Sequence, residues 1–323
     1  MLDTESVART TIETPAGKKQ VKSESGPVTL QLHDTDLGSL LSTLSPEARR
    51  NLVRELLDTS AAVPDQDLSG VQLIQSQNPG VRNLETFDDW SEQYDRRILS
   101  GESAIFTWES EVSPICPSCG ETLYWHFQSG CEHEGDIGSW ERGDSIQAKA
   151  WFDVSQTKEK DTEESTSENS PWRLRFLALD PIIRAKSIVE STGRFEDNVD
   201  AEIEYIPESE WDGDLEPASF DTSLMFMGDP VLRVKDDADP RRQARNLHYG
   251  LSLASFSYTY GSEPPKLPIL CLTYLLCVHF GIDEPTFPHV GHFDGEEELS
   301  TEMLEQVITK FQSISNGVRY SLL

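Results

Sequence analysis

The stretch LPILCLTYLLCVHFGI, Leu267 to Ile282, is the longest apolar run in the sequence and decides the fold. Only Pro268, Thr273 and His279 interrupt its 16 residues. A membrane-spanning helix needs about 20 predominantly apolar residues. The run therefore predicts a helix at the centre of a protein core, and we expect no membrane as a partner.

Two cysteines and a histidine lie within this run, at Cys271, Cys277 and His279. In an apolar helix, cysteine behaves as a small buried hydrophobe. Histidine there is typical of a hydrogen-bonded core residue or a group at the helix C-terminus. We expect none of the three to bind a metal.

Both helical and strand periodicity occur in the segments around the central run. Ser45 followed by Pro46 is typical of a helix start and predicts a helical hairpin. From Ala104 the apolar period changes to two, the period of a β-strand, and WRLRFLAL (Trp172–Leu179) also reads as a strand. The mixture predicts an α+β fold with antiparallel strands and separate helices.

Two polar segments predict the domain organisation. Residues 1–27 lack apolar periodicity and are expected to form a flexible tail. Residues 156–170 contain no apolar side chain and predict an acidic linker or loop. An N-terminal α+β domain is thus expected at 28–155 and a C-terminal α+β domain at 171–323.

The net charge is the strongest signal in the composition. The chain of 323 residues has a formal net charge of −30, and only 10 of its 27 basic residues are lysine. Such a charge favours solubility but makes the compact state repel itself. We interpret it as the composition of an extreme halophile, an archaeon or one of its viruses. The alternative is an acidic mesophilic protein with a disordered acidic tail.

This interpretation predicts that the melting temperature rises with KCl into the molar range. The Debye length falls from about 8 Å at physiological ionic strength to about 3 Å at 1 M, so salt screens the repulsion. A melting series in KCl measures the effect. A melting temperature that stays flat or falls would contradict the halophile interpretation.

The same charge restricts the partners and the location. Nucleic-acid binding depends on Lys and Arg that neutralise phosphates, and the longest basic clusters are pairs such as Arg49–Arg50. The N-terminus lacks the apolar core of a signal peptide. We expect a cytoplasmic protein, or a virion component if it is viral, with a protein partner or a homo-oligomer and no nucleic acid.

The segment CPSCGETLYWHFQSGCEHEG (Cys116–Gly135) contains the best candidate metal ligands. Cys116 and Cys119 have the C-x2-C spacing that lets two thiolates reach one tetrahedral ion. Cys131 and His133 would complete a Cys3His site, and His126 is an alternative fourth ligand. Zinc is the metal that thiolates prefer in a reducing cell.

This C-x2-C-G spacing resembles the knuckle of zinc-ribbon families, and the resemblance covers only residues 116–133. It implies an embedded zinc-ribbon-like hairpin with a structural zinc, because four protein ligands leave no open position. The sequence departs from the pattern because a single residue, Glu132, separates Cys131 from His133. Glu132 and Glu134 could serve as general bases only beside an open zinc.

A second cluster, DEPTFPHVGHFDGEEE, places His289, His292 and Asp294 close together, with Asp283 nearby. Histidine and carboxylate ligands suit Zn, Fe or Mn. A structured turn explains the segment better, because Pro285, Pro288 and Gly291 lie within it.

These observations favour a non-enzymatic structural or protein-interaction component, such as a complex subunit, an adaptor or a virion protein. No catalytic set can be identified from the sequence. A metal-dependent hydrolase is the alternative, and a zinc-knuckle nucleic-acid-binding regulator is the third hypothesis. The tail, residues 1–26, and the segment 156–170 are the expected contact segments.

Overall fold

The computed structural model describes residues 10–14, 17–21, 37–118, 141–160, 170–211, 216–221, 230–261, 263–282, 287–294 and 300–318. It confirms the α+β class, with separate helices and mostly antiparallel strands. Within these residues the α-helices are α1 Leu37–Thr43, α2 Pro46–Ala62, α3 Leu68–Gln77, α4 Trp172–Ala178, α5 Pro181–Glu190, α6 Thr192–Val199, α7 Pro240–Tyr260, α8 Lys266–His279 and α9 Thr301–Val318.

Within the described residues the strands pair into four small sheets. The strands are β1 Thr10–Thr14, β2 Gly17–Val21, β3 Leu84–Glu85, β4 Arg96–Ile98, β5 Ile105–Ile115, β6 Glu141–Asp153, β7 Thr157–Glu159, β8 Glu202–Ile206, β9 Ala218–Asp221 and β10 Val231–Lys235. The sheets are β1–β2, β3–β6–β5, β4–β7 and β8–β10–β9. Every pair is antiparallel except β8 with β10, which is parallel.

Helix α8 is the central helix that the apolar run predicts. It packs against α2, α7 and α9, and Leu272, Leu275 and Leu276 have no exposed surface. No helix in the described part of the chain is both long enough and apolar enough to cross a bilayer.

Helix α8 ends in a Schellman motif centred on Gly281, whose φ is +64°. The Ile282 N–H donates to the Cys277 carbonyl at 2.8 Å, and the Gly281 N–H donates to the Val278 carbonyl at 3.2 Å. Glycine adopts this left-handed conformation without a Cβ clash. The motif turns the chain sharply and buries Ile282.

Two consecutive helices, α1 and α2, form where the helical hairpin was predicted. Ser45 is the N-cap of α2, where its side chain accepts from the Ala48 N–H, and Pro46 is the first helical residue. Val53, Leu56 and Leu57 are buried on the side of α2 that packs towards α8. The capping pair in the sequence therefore located the helix start correctly.

The strand predicted at WRLRFLAL is wrong, because this segment forms helix α4. The buried side chains are Arg173 and Phe176, which are three residues apart. That spacing places them on one face of a helix, whereas a strand would bury alternate residues. Packing of Phe176 on Phe280 supports this face, with ring centroids 6.4 Å apart.

A buried arginine joins the ends of two helices to α5. On α5, Arg184 donates from Nη1 to the carbonyls of Leu177 and Leu179, at 2.6 and 2.8 Å. Its Nε and Nη2 both donate to the Gly281 carbonyl, at 3.1 and 2.8 Å. These bonds satisfy carbonyls that have no partner inside their own helices.

The domain boundaries at 28–155 and 171–323 stay a prediction. The buried core includes Val53 and Leu57 from α2 together with Leu247 and Leu275 from α7 and α8. Side chains from both sides of residues 156–170 therefore contribute to one cluster of packed residues. The predicted tail, residues 1–27, lies mostly outside the described residues.

Candidate functional site

Only one of the four predicted zinc ligands lies within the described residues. Cys116 directly follows β5 and is buried. Cys119, Cys131 and His133 lie outside the described residues, as does His126. The four-residue ligand set itself therefore stays a prediction.

The zinc-ribbon interpretation needs a correction. Among the residues that the structure describes, no group of three or more His, Cys, Asp or Glu side chains could hold a metal ion. The described strands on either side of this segment form a long antiparallel ribbon, in which β5 and β6 pair without interruption from Ile105–Trp151 to Ile115–Glu141. Cys116 comes directly after the last of these pairs.

The second predicted cluster does not form a metal site in the described residues either. His289 and Asp294 are exposed, and His292 is half-buried on the short 3-10 helix Val290–Phe293. Asp283 lies outside the described residues. The residue types are present, but their side chains do not converge on one point.

This segment has a structural role instead. The rings of Phe287 and Phe293 stack with centroids 5.8 Å apart, and both are buried. From α2, Arg50 donates to the Pro288 carbonyl at 2.7 Å and lies 5.2 Å from the centroid of the Phe287 ring. The segment thus fastens α2 to the core, as expected of a structured turn.

A buried Cys–His pair in the core resembles a nucleophile and its base in composition only. The Nδ1 atom of His248 lies 3.4 Å from the Cys277 Sγ atom. Burial lowers the pKa of His248 to about 3 and raises the pKa of Cys277 to about 12. Both groups are neutral at pH 7, and a thiol without solvent access is a poor nucleophile. Cys271, Cys277 and His279 are all buried, as the sequence indicated.

An apolar surface on the β5–β6 ribbon is the strongest candidate site. Phe106 pairs with Ala150 and Trp108 with Ala148, and all four residues are exposed. The two aromatic side chains keep 38% and 37% of their surface in solvent. We call these four residues the aromatic face. Exposed aromatic side chains that lie side by side are typical of contact surfaces.

The opposite side of the ribbon faces the core. Ile105 and Thr107 are buried there. Trp151 fixes this side because its Nε1 donates to the Thr107 hydroxyl at 2.7 Å. Strand alternation then directs Phe106 and Trp108 outward. The alternating pattern predicted the strands but did not identify which face would be exposed.

The outer edge of β5 has its own hydrogen-bonding groups. The Phe106 N–H donates to Gln77 Oε1 at 3.0 Å, and Gln77 Nε2 donates to the Phe106 carbonyl at 2.8 Å. The backbone groups of Phe106 therefore point away from β6. In an antiparallel pair this orientation recurs at every second residue, so those of Trp108 point the same way. Among the described strands, none pairs with this edge.

No protein-family model matches the chain, and no curated protein matches its sequence. The chain is similar to two crystal structures of the antirestriction protein ArdC from plasmid R388. The metal-free structure has a TM-score of 0.40 at 11% identity, covering 80% of this chain and 85% of that one. The Mn(II)-bound structure has a TM-score of 0.36 at 9% identity, covering 84% and 98%. Likeness this distant establishes neither a common fold nor a common activity, and the Mn(II) belongs to that protein.

Proposed function

We propose that this chain is a non-enzymatic structural or interaction component, in the cytoplasm or in a virion, that acts by binding a protein partner. The observation that carries the proposal is the aromatic face, where Phe106 and Trp108 are exposed on an edge strand. The side-chain pair most like a catalytic dyad, His248 with Cys277, is buried and neutral. That observation favours binding over turnover.

The geometry supports one mode of binding, in which an extended segment of the partner adds a strand beside β5. Unpaired N–H and C=O groups along a strand edge are a template for another strand. At Phe106 the Gln77 side-chain amide already occupies the place of a neighbouring peptide group. A partner strand would form main-chain hydrogen bonds with β5 from that point onward and extend past Trp108.

The charge of the chain restricts the chemistry of this partner segment. With a net charge of −30, the chain repels acidic segments over distances up to the Debye length. Molar salt screens ionic contacts but strengthens apolar burial when the anion is excluded from protein surfaces. We therefore expect a partner segment with apolar side chains on the face that meets Phe106 and Trp108, and few acidic ones.

The expected result is loss of partner binding in the double variant Phe106→Thr/Trp108→Thr. Threonine favours the strand and removes the aromatic contact area, so the fold should stay intact. Because large aromatic residues dominate interface energies, affinity should fall at least about tenfold. The measurement is a stoichiometric pull-down from native host lysate or virions in molar KCl, followed by titration with the purified partner.

Phe87→Thr is the matched control, because Phe87 is an aromatic residue with 56% exposure that lies outside the aromatic face. It should bind as the wild type does. Equal capture by all three proteins, or loss of capture only after deletion of residues 1–26, would overturn the aromatic face as the binding surface. A wild-type homo-oligomer that the double variant breaks would make a second copy the occupant. Metal-dependent hydrolysis abolished by His289→Ala would replace the proposal with the hydrolase alternative.

A further inference from the structure

A cavity of about 250 Å³ lies between the turn after α2, strand β3 and the start of α4. This volume would hold about eight water molecules or one small organic molecule. The rings of Tyr94, Trp151 and Trp172 form part of its wall. Small-molecule sites combine such apolar walls with a few polar groups at fixed positions.

Arg173 lines this cavity, and its guanidinium has no counter-charge among the residues that the structure describes. Arg173 is only 8% exposed. Its Nε donates to the His279 carbonyl at 3.3 Å and its Nη1 to the Arg82 carbonyl at 2.6 Å. Among the described residues Nη2 donates no hydrogen bond, and no carboxylate forms an ion pair with the group.

Arg184 provides an internal comparison. Both arginines are 8% exposed, but Arg184 uses all three guanidinium nitrogens to bind main-chain carbonyls. Arg173 uses only two of its three guanidinium nitrogens, Nε and Nη1. An unpaired buried cation is costly, and a bound anion would compensate it. The unused nitrogen of Arg173 therefore indicates a ligand with a carboxylate or a similar anionic group.

Carboxylates that line the same cavity argue against a ligand that is only an anion. Asp65, Glu85 and Asp89 also line it, and the Lys149 ammonium lies 4.1 Å from the centroid of the lining Trp151 ring. Asp89 starts a single π-helical turn, in which its side chain accepts from Thr86 Oγ1 and Gln93 Nε2, both at 2.6 Å. No cation of the described residues forms an ion pair with Asp89. The Asp89 carboxylate would repel a ligand that carries only a negative charge.

We propose that this cavity binds a small zwitterion whose carboxylate is held by Nη2 of Arg173 and whose ammonium group is held by Asp89. The side chains of Trp151 and Trp172 contact its apolar part. The ligand class is the free α-amino acids and their N-methylated betaines. This site is independent of the aromatic face and of the proposed partner.

Isothermal titration calorimetry on the full chain in molar KCl tests the proposal. The probes are glycine, L-alanine, L-leucine, L-lysine and trimethylglycine, with acetate and methylammonium as the two halves of a zwitterion. We expect at least one zwitterion to bind and neither half to bind as tightly. The size series and trimethylglycine distinguish amino acids from betaines. Acetate that binds as tightly as the best zwitterion, or no binding by any zwitterion, would overturn the proposal.

Asp89→Asn should weaken the binding of the best zwitterion at least about tenfold, because it removes a charge-assisted contact. Its loss of negative charge should also raise acetate affinity relative to the zwitterion, a change in selectivity that a merely structural role would not produce. Asp88→Asn is the matched control, since Asp88 is an exposed neighbour that does not line the cavity. If both variants bind the zwitterion and acetate as the wild type does, Asp89 does not hold the ammonium group.

Discussion

Gly281→Ala is expected to lower the free energy of unfolding by about 3 kcal/mol or more, the range of large single-site effects. The left-handed backbone of Gly281, at φ +64°, costs any other residue about 1–2 kcal/mol. A Cβ at this position would also overlap Leu177 Cδ2 and lie 3.2 Å from Arg184 Nε. The added methyl group would therefore disturb both the end of α8 and the Arg184 hydrogen bonds.

Urea unfolding of Gly281→Ala beside Gly101→Ala separates these two causes. Gly101 also has a positive φ, +91°, but a Cβ there would meet no atom within 4 Å. The control should lose only the backbone part, about 1–2 kcal/mol. An equal loss in both variants would contradict the steric argument, because it would mean that α4 and α5 move aside without cost.

Local signals in the sequence predicted the helices at the centre of the fold well. The apolar run gave α8 because its length and composition fit only a buried helix, and Ser45–Pro46 gave the start of α2 because capping is a local interaction. Gly281 in HFGI is also a local signal, because glycine commonly follows the end of a helix. Its consequence for α4 and α5 could not be predicted, because Leu177 and Arg184 reach it only through tertiary contacts.

The assignment of strands and of their buried faces failed where the buried side chains did not follow the apolar and polar pattern of the sequence. Trp172–Leu179 has the alternation of a strand, yet Arg173 is buried, because main-chain carbonyls from elsewhere in the fold accept its hydrogen bonds. Burial of a charged side chain follows from such partners and leaves no trace in the local pattern. In the β5–β6 ribbon, the face with Phe106 and Trp108 is more apolar than the buried face with Thr107, so composition alone would assign the two faces the wrong way round.

The candidate sites were the least predictable part of the molecule. Asp89, Trp151 and Arg173 are far apart in the sequence, and each looks like an ordinary helix or strand residue there. The predicted clusters, by contrast, were close in sequence, and in His289, His292 and Asp294 this closeness did not produce convergence in space. Sequence proximity indicates a metal site only when the backbone turns its side chains towards one point.

His248→Gln is expected to reduce the loss of folding stability when the pH falls from 7 to 5. Burial lowers the pKa of His248 to about 3 in the folded state, whereas its ordinary value is 6.5. Between these two values the unfolded chain binds a proton that the folded chain does not, so stability falls as the pH falls. The slope approaches about 1.4 kcal/mol per pH unit, and about 2 kcal/mol is lost between pH 7 and pH 5.

The groups around His248 do not change the direction of this pH effect on stability. Cys277, which faces its Nδ1, stays a neutral thiol because its pKa is raised to about 12, and Arg245 near that thiol keeps a positive charge. On another side lies the ring of Phe280, with its centroid 5.5 Å away. None of these groups can supply the negative charge that would stabilise a buried imidazolium.

The measurement is urea unfolding of the wild type and His248→Gln at pH 7, 6 and 5 in constant molar KCl. Loss of net charge on acidification reduces self-repulsion and stabilises both proteins equally, so the difference between their slopes isolates the histidine. Glutamine cannot titrate, so the variant should lose about 2 kcal/mol less than the wild type between pH 7 and 5, whatever its stability at pH 7. Parallel slopes for the wild type and His248→Gln would mean that His248 is not held neutral in the core.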